Sequence, residues 1–93
     1  MTLENFRNFL IKEKIFDKYA LEKIGVFGSL ARGEDGNDID ILVEYLNYKK
    51  WISIKNDLEN NYHLHLDVVL EKYANPIVLM RAKKEIVYVT KYS

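Results

Sequence analysis

Apolar and polar positions change period several times along this chain, and each change marks an element. Leu3, Phe6, Leu10 and Ile11 recur at helical spacing behind Thr2, a residue able to cap a helix. They predict a first helix from about Leu3 to Tyr19. Ile24 to Phe27 is a short apolar run that stops at Gly28 and reads as a buried strand. Ser29 to Gly33 follows as a short helical turn. From Asp38 to Glu44 the period becomes two: Ile39, Ile41 and Val43 share one face, and Asp38 and Asp40 the other. Trp51, Ile54 and Leu58 mark an amphipathic helix from about Tyr48 to Asn60. Leu64 to Leu70 is a third strand, with Leu64, Leu66, Val68 and Leu70 on one face and His65, Asp67 and Val69 on the other. Asn75-Pro76 fits a helix start with proline in its first turn, and Ile77, Met80 and Arg81 continue it. Ile86 to Thr90 is apolar and β-branched and predicts a last strand. The expected order is helix, strand, helical turn, strand, helix, strand, helix, strand, in one domain over residues 1–93.

The chain has 93 residues, 48% of them hydrophobic, which suffices for one modest core. Its 14 basic and 14 acidic residues cancel. That balance lacks the positive footprint needed to grip a nucleic-acid backbone, so no direct nucleic-acid binding is expected. The absence of cysteine removes disulfides and thiolate metal sites. Charges run through the first residues, and no uncharged apolar run approaches the ~20 residues that span a bilayer. No membrane association is expected, and the cytoplasm is the expected compartment.

All four glycines lie between Gly25 and Gly36, just ahead of Asp38-Ile-Asp40. Two carboxylates two apart on a strand project to one face about 7 Å apart and repel unless a cation lies between them. Such a pair also occurs on solvated strand faces, and alone it decides nothing. Asp67 adds a second observation, because a carboxylate within Leu-His-Leu-Asp-Val-Val-Leu requires a partner or an exposed face. If the third strand lies beside the second, Asp67 joins Asp38 and Asp40 on one side. Three such carboxylates can hold two metal ions about 3.5–4 Å apart, the arrangement used in phosphoryl-type transfer. Gly28-Ser29, where a strand opens into a helical turn, offers backbone N–H groups and a hydroxyl to an anion. Ser29 serves equally as a cap for the turn. Arg32, one turn on, can approach a phosphate or pair with Glu34.

Taken in order, Phe27-Gly-Ser-Leu-Ala-Arg-Gly33, Asn37-Asp-Ile-Asp-Ile-Leu-Val43 and Leu66-Asp-Val68 resemble the DNA polymerase beta superfamily of nucleotidyltransferases. More closely, they resemble the minimal nucleotidyltransferases, or MNT proteins, the antitoxin partners of HEPN toxins. The resemblance extends from the first helix to Glu85-Ile-Val-Tyr-Val89. It implies an α+β class with a palm-like nucleotidyltransferase fold, a small mixed sheet with helices mainly on one face. It implies that Gly28 and Ser29 bind phosphate, with Arg32 in the adjoining Ala-Arg-Gly segment. It further implies that Asp38 and Asp40 bind two Mg²⁺ ions, and that Asp67 holds the catalytic one and helps deprotonate the attacking hydroxyl. The implied reaction moves AMP from ATP to a tyrosine of a HEPN ribonuclease toxin and silences it. Two positions depart from the family pattern. Asn37 stands where serine is usual, and the loop before Asp38 is about two residues short.

Two other functions fit the same residues. A non-catalytic antitoxin would neutralise by masking its target, although an idle site has no need of three mutually repelling carboxylates. Transfer to a small molecule or to RNA would need an acceptor-binding partner subunit, since the chain is expected to have no room for a further domain. The other notable residues read as structural. His63 and His65 lack a metal-ligand cluster, Trp51 sits at core spacing, and Gly25 fits close strand packing. His65 shares a face with Asp67 and could border the site. Tyr88 and Tyr92 are candidates for a partner interface.

Overall fold

The computed structural model describes residues 1–43 and 48–92. Its elements are α1 (Leu3–Lys12), α2 (Ile15–Lys18), β1 (Lys23–Phe27), β2 (Asp38–Val43), α3 (Tyr48–Tyr62), β3 (His65–Leu70), α4 (Pro76–Glu85) and β4 (Val87–Thr90). A 3-10 turn over Glu71–Tyr73 follows β3. The sheet order is β3-β2-β1-β4, with β2 and β3 parallel and the other pairs antiparallel. The fold is α+β with a mixed sheet, as the sequence led us to expect. Glu44, expected to end the second strand, lies outside the described residues.

One correction concerns the first helix, which breaks at Glu13–Lys14, where Lys14 takes the left-handed conformation (φ 56°). Continuing the helical phase of Leu3, Phe6 and Leu10 would have turned Glu13, Lys14 and Asp17 inward and Ile15 and Phe16 outward. The break resets that phase, and Ile15 and Phe16 are buried beside Phe6 and Leu10. Burying two large apolar side chains outweighs the roughly 1–2 kcal/mol cost of one left-handed residue. Thr2 caps α1, its side chain accepting from Asn5 N–H while Asn5 reaches back to the Thr2 N–H. Asn75 caps α4 one-way, its side chain accepting from Ile77 N–H (2.9 Å), with Pro76 in the first turn.

The core lies on one face of the sheet. Ile24, Val26, Ile39, Ile41, Val43, Leu66 and Val89 pack there against side chains of α1, α2 and α3, including Trp51, Ile54 and Leu58. Trp51 is thus a core residue, as its spacing predicted. Leu42 belongs to the opposite face; it and Ala82 of α4 are buried outside that cluster, and α4 packs against β1. Gly25 closes this contact, since a Cβ there would stand 2.7 Å from Ile86 Cδ1. The second face is therefore covered near β1 and left open toward β2 and β3, where Asp38, Asp40 and Asp67 lie.

Asp57 ties α3 to the end of α2. It accepts hydrogen bonds from Lys18 Nζ (2.9 Å) and Tyr19 OH (2.8 Å), and from Asn61. The Lys18 bond first, then those from Tyr19 and Asn61, hold its carboxyl down to about 2. The unfolded chain would take up that proton near pH ~3.9. The bonds therefore stabilise the fold above that pH, and the contribution is lost as pH falls toward 2. Asp57→Ala is expected to cost about 1–2 kcal/mol at neutral pH, discounted for the exposed Lys18 partner. Denaturant titrations at pH 7 and pH 2.5 check this, and the gap between variant and wild type should narrow at the lower pH.

Candidate active site

β2 and β3 run parallel because α3 carries the chain across from the end of one to the start of the other. Their register sets Asp40 directly beside Asp67, and Asp38 beside His65. Neighbouring strands lie about 4.8 Å apart, so the Asp40 and Asp67 carboxylates leave the same face side by side. Asp67 is exposed and Asp40 half-buried. Burial pushes the Asp40 carboxyl up, and the nearby Asp67 and Asp38 carboxylates push it further. Asp38 is turned toward its strand neighbour, with Oδ1 2.9 Å from His65 Nδ1.

Gly28 follows the end of β1 against this cluster. It takes a positive φ of 75°, and a Cβ there would stand 2.2 Å from Asp40 Oδ2. The turn that follows is one helical turn, with Arg32 N–H donating to Gly28 O (3.1 Å) and Gly33 N–H to Leu30 O (3.0 Å). Leu30 anchors it by full burial in the core. The short loop after it is pinned at Gly36, whose N–H donates to Met1 O (3.0 Å). Ser29 opens the turn, half-buried, and faces the loop's return. A Cβ on Gly36 would stand 3.3 Å from Ser29 Oγ.

Arg32 pairs with two glutamates, and its charge is near enough to offset part of the upward push on the Asp40 carboxyl. Its Nε donates to Glu34 Oε2 (2.7 Å) and its Nη1 to Glu85 Oε1 (3.0 Å). Glu85 Oε2 also accepts from Gly28 N–H at 3.1 Å. Glu34 is one of the two partners the sequence offers Arg32, the other being a phosphate, and Glu85 is not among them. Glu85 sits at the end of α4, and only the antiparallel β1–β4 pairing brings it beside the end of β1. The His65–Asp38 pair was missed for the same reason, since it depends on the β2–β3 register.

The structure thus brings Gly28, Asp40 and Asp67 together, sets Ser29 at the opening of the adjoining turn, places Asp38 at the rim with His65, and engages Arg32 with Glu34 and Glu85. Among the described residues, no three histidine or acidic side chains already form a metal cage. The donor chemistry nonetheless suits a divalent cation. Hard cations take carboxylate oxygens, and a positive ion here would relieve the repulsion that raises Asp40.

Comparison with known proteins decides the family. Residues 11–91 match the model described as polymerase beta, nucleotidyltransferase. The chain belongs to this nucleotidyltransferase family. It is 31% identical over 96 residues to the protein adenylyltransferase MntA of Thermococcus cleftensis, covering 96% of this chain and 97% of that one. It is 34% identical over 98 residues to a Methanocaldococcus jannaschii protein assigned as a protein adenylyltransferase, covering 95% and 98%. A solved structure described as a minimal nucleotidyltransferase superimposes with a TM-score of 0.67 at 25% identity, covering 94% of this chain and 95% of that one. The nucleotidyltransferase is an enzyme of nucleotidyl transfer with the minimal fold. Among its described residues, no helix is long and apolar enough to cross a membrane.

Proposed function

We propose that this nucleotidyltransferase transfers AMP from ATP to a tyrosine hydroxyl of a HEPN ribonuclease toxin in the cytoplasm, and so acts as its antitoxin. The observation that carries the proposal is the register of Asp40 beside Asp67 with Gly28 closed against Asp40. The relatives named as protein adenylyltransferases support a protein acceptor.

In this reading Asp38, Asp40 and Asp67 hold two Mg²⁺ ions, which when bound supply positive charge to the phosphate oxygens. Gly28 N–H and the Ser29 hydroxyl orient the triphosphate, and Arg32 adds a cation to it. The acceptor oxygen bonds to the α-phosphorus while the bond to the bridging oxygen breaks, and pyrophosphate leaves with that electron pair. Asp67 takes the hydroxyl proton. Positioning and charge neutralisation do the remaining work.

The test is label transfer from α-labelled ATP to a co-expressed HEPN partner, with and without a metal chelator. Label should appear on the partner only with Mg²⁺, and intact-mass analysis should show whole AMP increments on it. A variant carrying both Asp38→Asn and Asp40→Asn that transfers label as well as wild type would overturn the mechanism. Full neutralisation of the toxin by that variant, at equal expression, would instead favour masking.

A further inference from the structure

Two of the three donors assigned above to the phosphates, Gly28 N–H and Arg32, are already engaged within the chain. Glu85 spans them, one oxygen on Gly28 N–H at 3.1 Å and the other on Arg32 Nη1 at 3.0 Å. A carboxylate with two oxygens on a backbone N–H and a guanidinium makes the contacts that a phosphate oxygen pair would make. Its side chain is 31% exposed, and it closes α4, so a change of rotamer releases it to water without disturbing the helix. Arg32 would keep Glu34 on its other edge.

We infer that Glu85 is an internal stand-in for a nucleotide phosphate, which a nucleoside triphosphate must displace to bind, so that this residue sets nucleotide affinity. The inference rests on the reading of Gly28 and Arg32 as phosphate donors. It separates cleanly from a structural role. A clamp that merely holds the turn in shape would lose affinity when removed, whereas removing a competitor raises affinity. A binding state populated only in part weakens apparent affinity by that fraction, so freeing the donors should tighten binding about tenfold or more.

The experiment is calorimetric titration of Mg²⁺-ATP into wild type, Glu85→Ala, Glu85→Gln and Glu34→Gln, with a thermal melt of each. Glu85→Ala is expected to bind at least about tenfold tighter than wild type, and Glu85→Gln, which keeps an acceptor but not the charge, by a smaller factor. Glu34→Gln removes an equal charge from Arg32 but leaves Gly28 N–H occupied, and should gain less than Glu85→Ala. Equal or weaker binding by folded Glu85→Ala, or an equal gain from Glu34→Gln, overturns the inference. Should Glu85→Ala fail to fold, Glu85→Gln decides by the same sign. If wild type binds ATP and transfers AMP while the Glu85 variants bind no tighter, only the inference falls. If no form binds ATP, the nucleotide reading of the site falls too.

Discussion

Asp40→Asn is expected to reduce AMP transfer about a thousandfold while leaving the protein folded and slightly more heat-stable. The two effects have one origin. Burial and the facing Asp67 and Asp38 carboxylates raise the Asp40 carboxyl in the folded protein. A raised carboxyl means that the folded state disfavours the charged form, so at neutral pH the ionised side chain works against folding. Asparagine keeps the shape and removes that repulsion, and the melting temperature rises. The same repulsion is what a divalent cation relieves, so removing the charge removes the reason for a cation to bind. Added Mg²⁺ should raise the melting temperature of wild type, because an ion that binds only the folded state stabilises it. It should leave that of Asp40→Asn unchanged. A transfer assay and melts with and without Mg²⁺ check all three signs. A variant that lost activity together with melting temperature would show that Asp40 is structural.

The parts of this site legible in the sequence were those carried by local period. Alternation placed Asp38 and Asp40 opposite Ile39, Ile41 and Val43, and the lone charge in an apolar strand drew attention to Asp67. The residues at the strand's end, Gly28 and Ser29, were legible from the break in the apolar run. Whether these pieces met was a conditional statement, since it required β3 to lie beside β2. The parallel register supplies that adjacency. Ile15 and Phe16 carried a local signal that went unread: they fall out of phase with Phe6 and Leu10, which is the mark of a break. Glu85 carried no local signal. It reaches Gly28 across 57 positions of chain through the pairing of β4 with β1, and pairing of that range is not written in periodicity. Arg32 shows the same limit: the sequence offers it a phosphate or the neighbouring Glu34, and the structure adds the distant Glu85.

Gly28→Ala should cut transfer about a thousandfold and Gly33→Ala should leave it nearly unchanged, although the two variants lose similar stability. Both glycines take left-handed backbone, φ 75° at Gly28 and φ 83° at Gly33. An L-residue there costs about 1–2 kcal/mol, so each alanine should lower stability by roughly that amount. The surroundings then separate them. Nothing lies within 4 Å of a Cβ on Gly33, so its cost ends with the backbone. A Cβ on Gly28 would stand 2.2 Å from Asp40 Oδ2 and 3.2 Å from its Cγ. The end of a flexible side chain yields more readily than backbone, so the fold survives and the Asp40 carboxylate is driven from its place beside Asp67. That displacement should cost transfer about as much as Asp40→Asn, near a thousandfold. Matched denaturant curves with divergent transfer rates would establish that Gly28 serves the site through space it leaves free. Comparable transfer by both variants would mean that Asp40 works equally well from another rotamer, and that the contact between Gly28 and Asp40 is incidental.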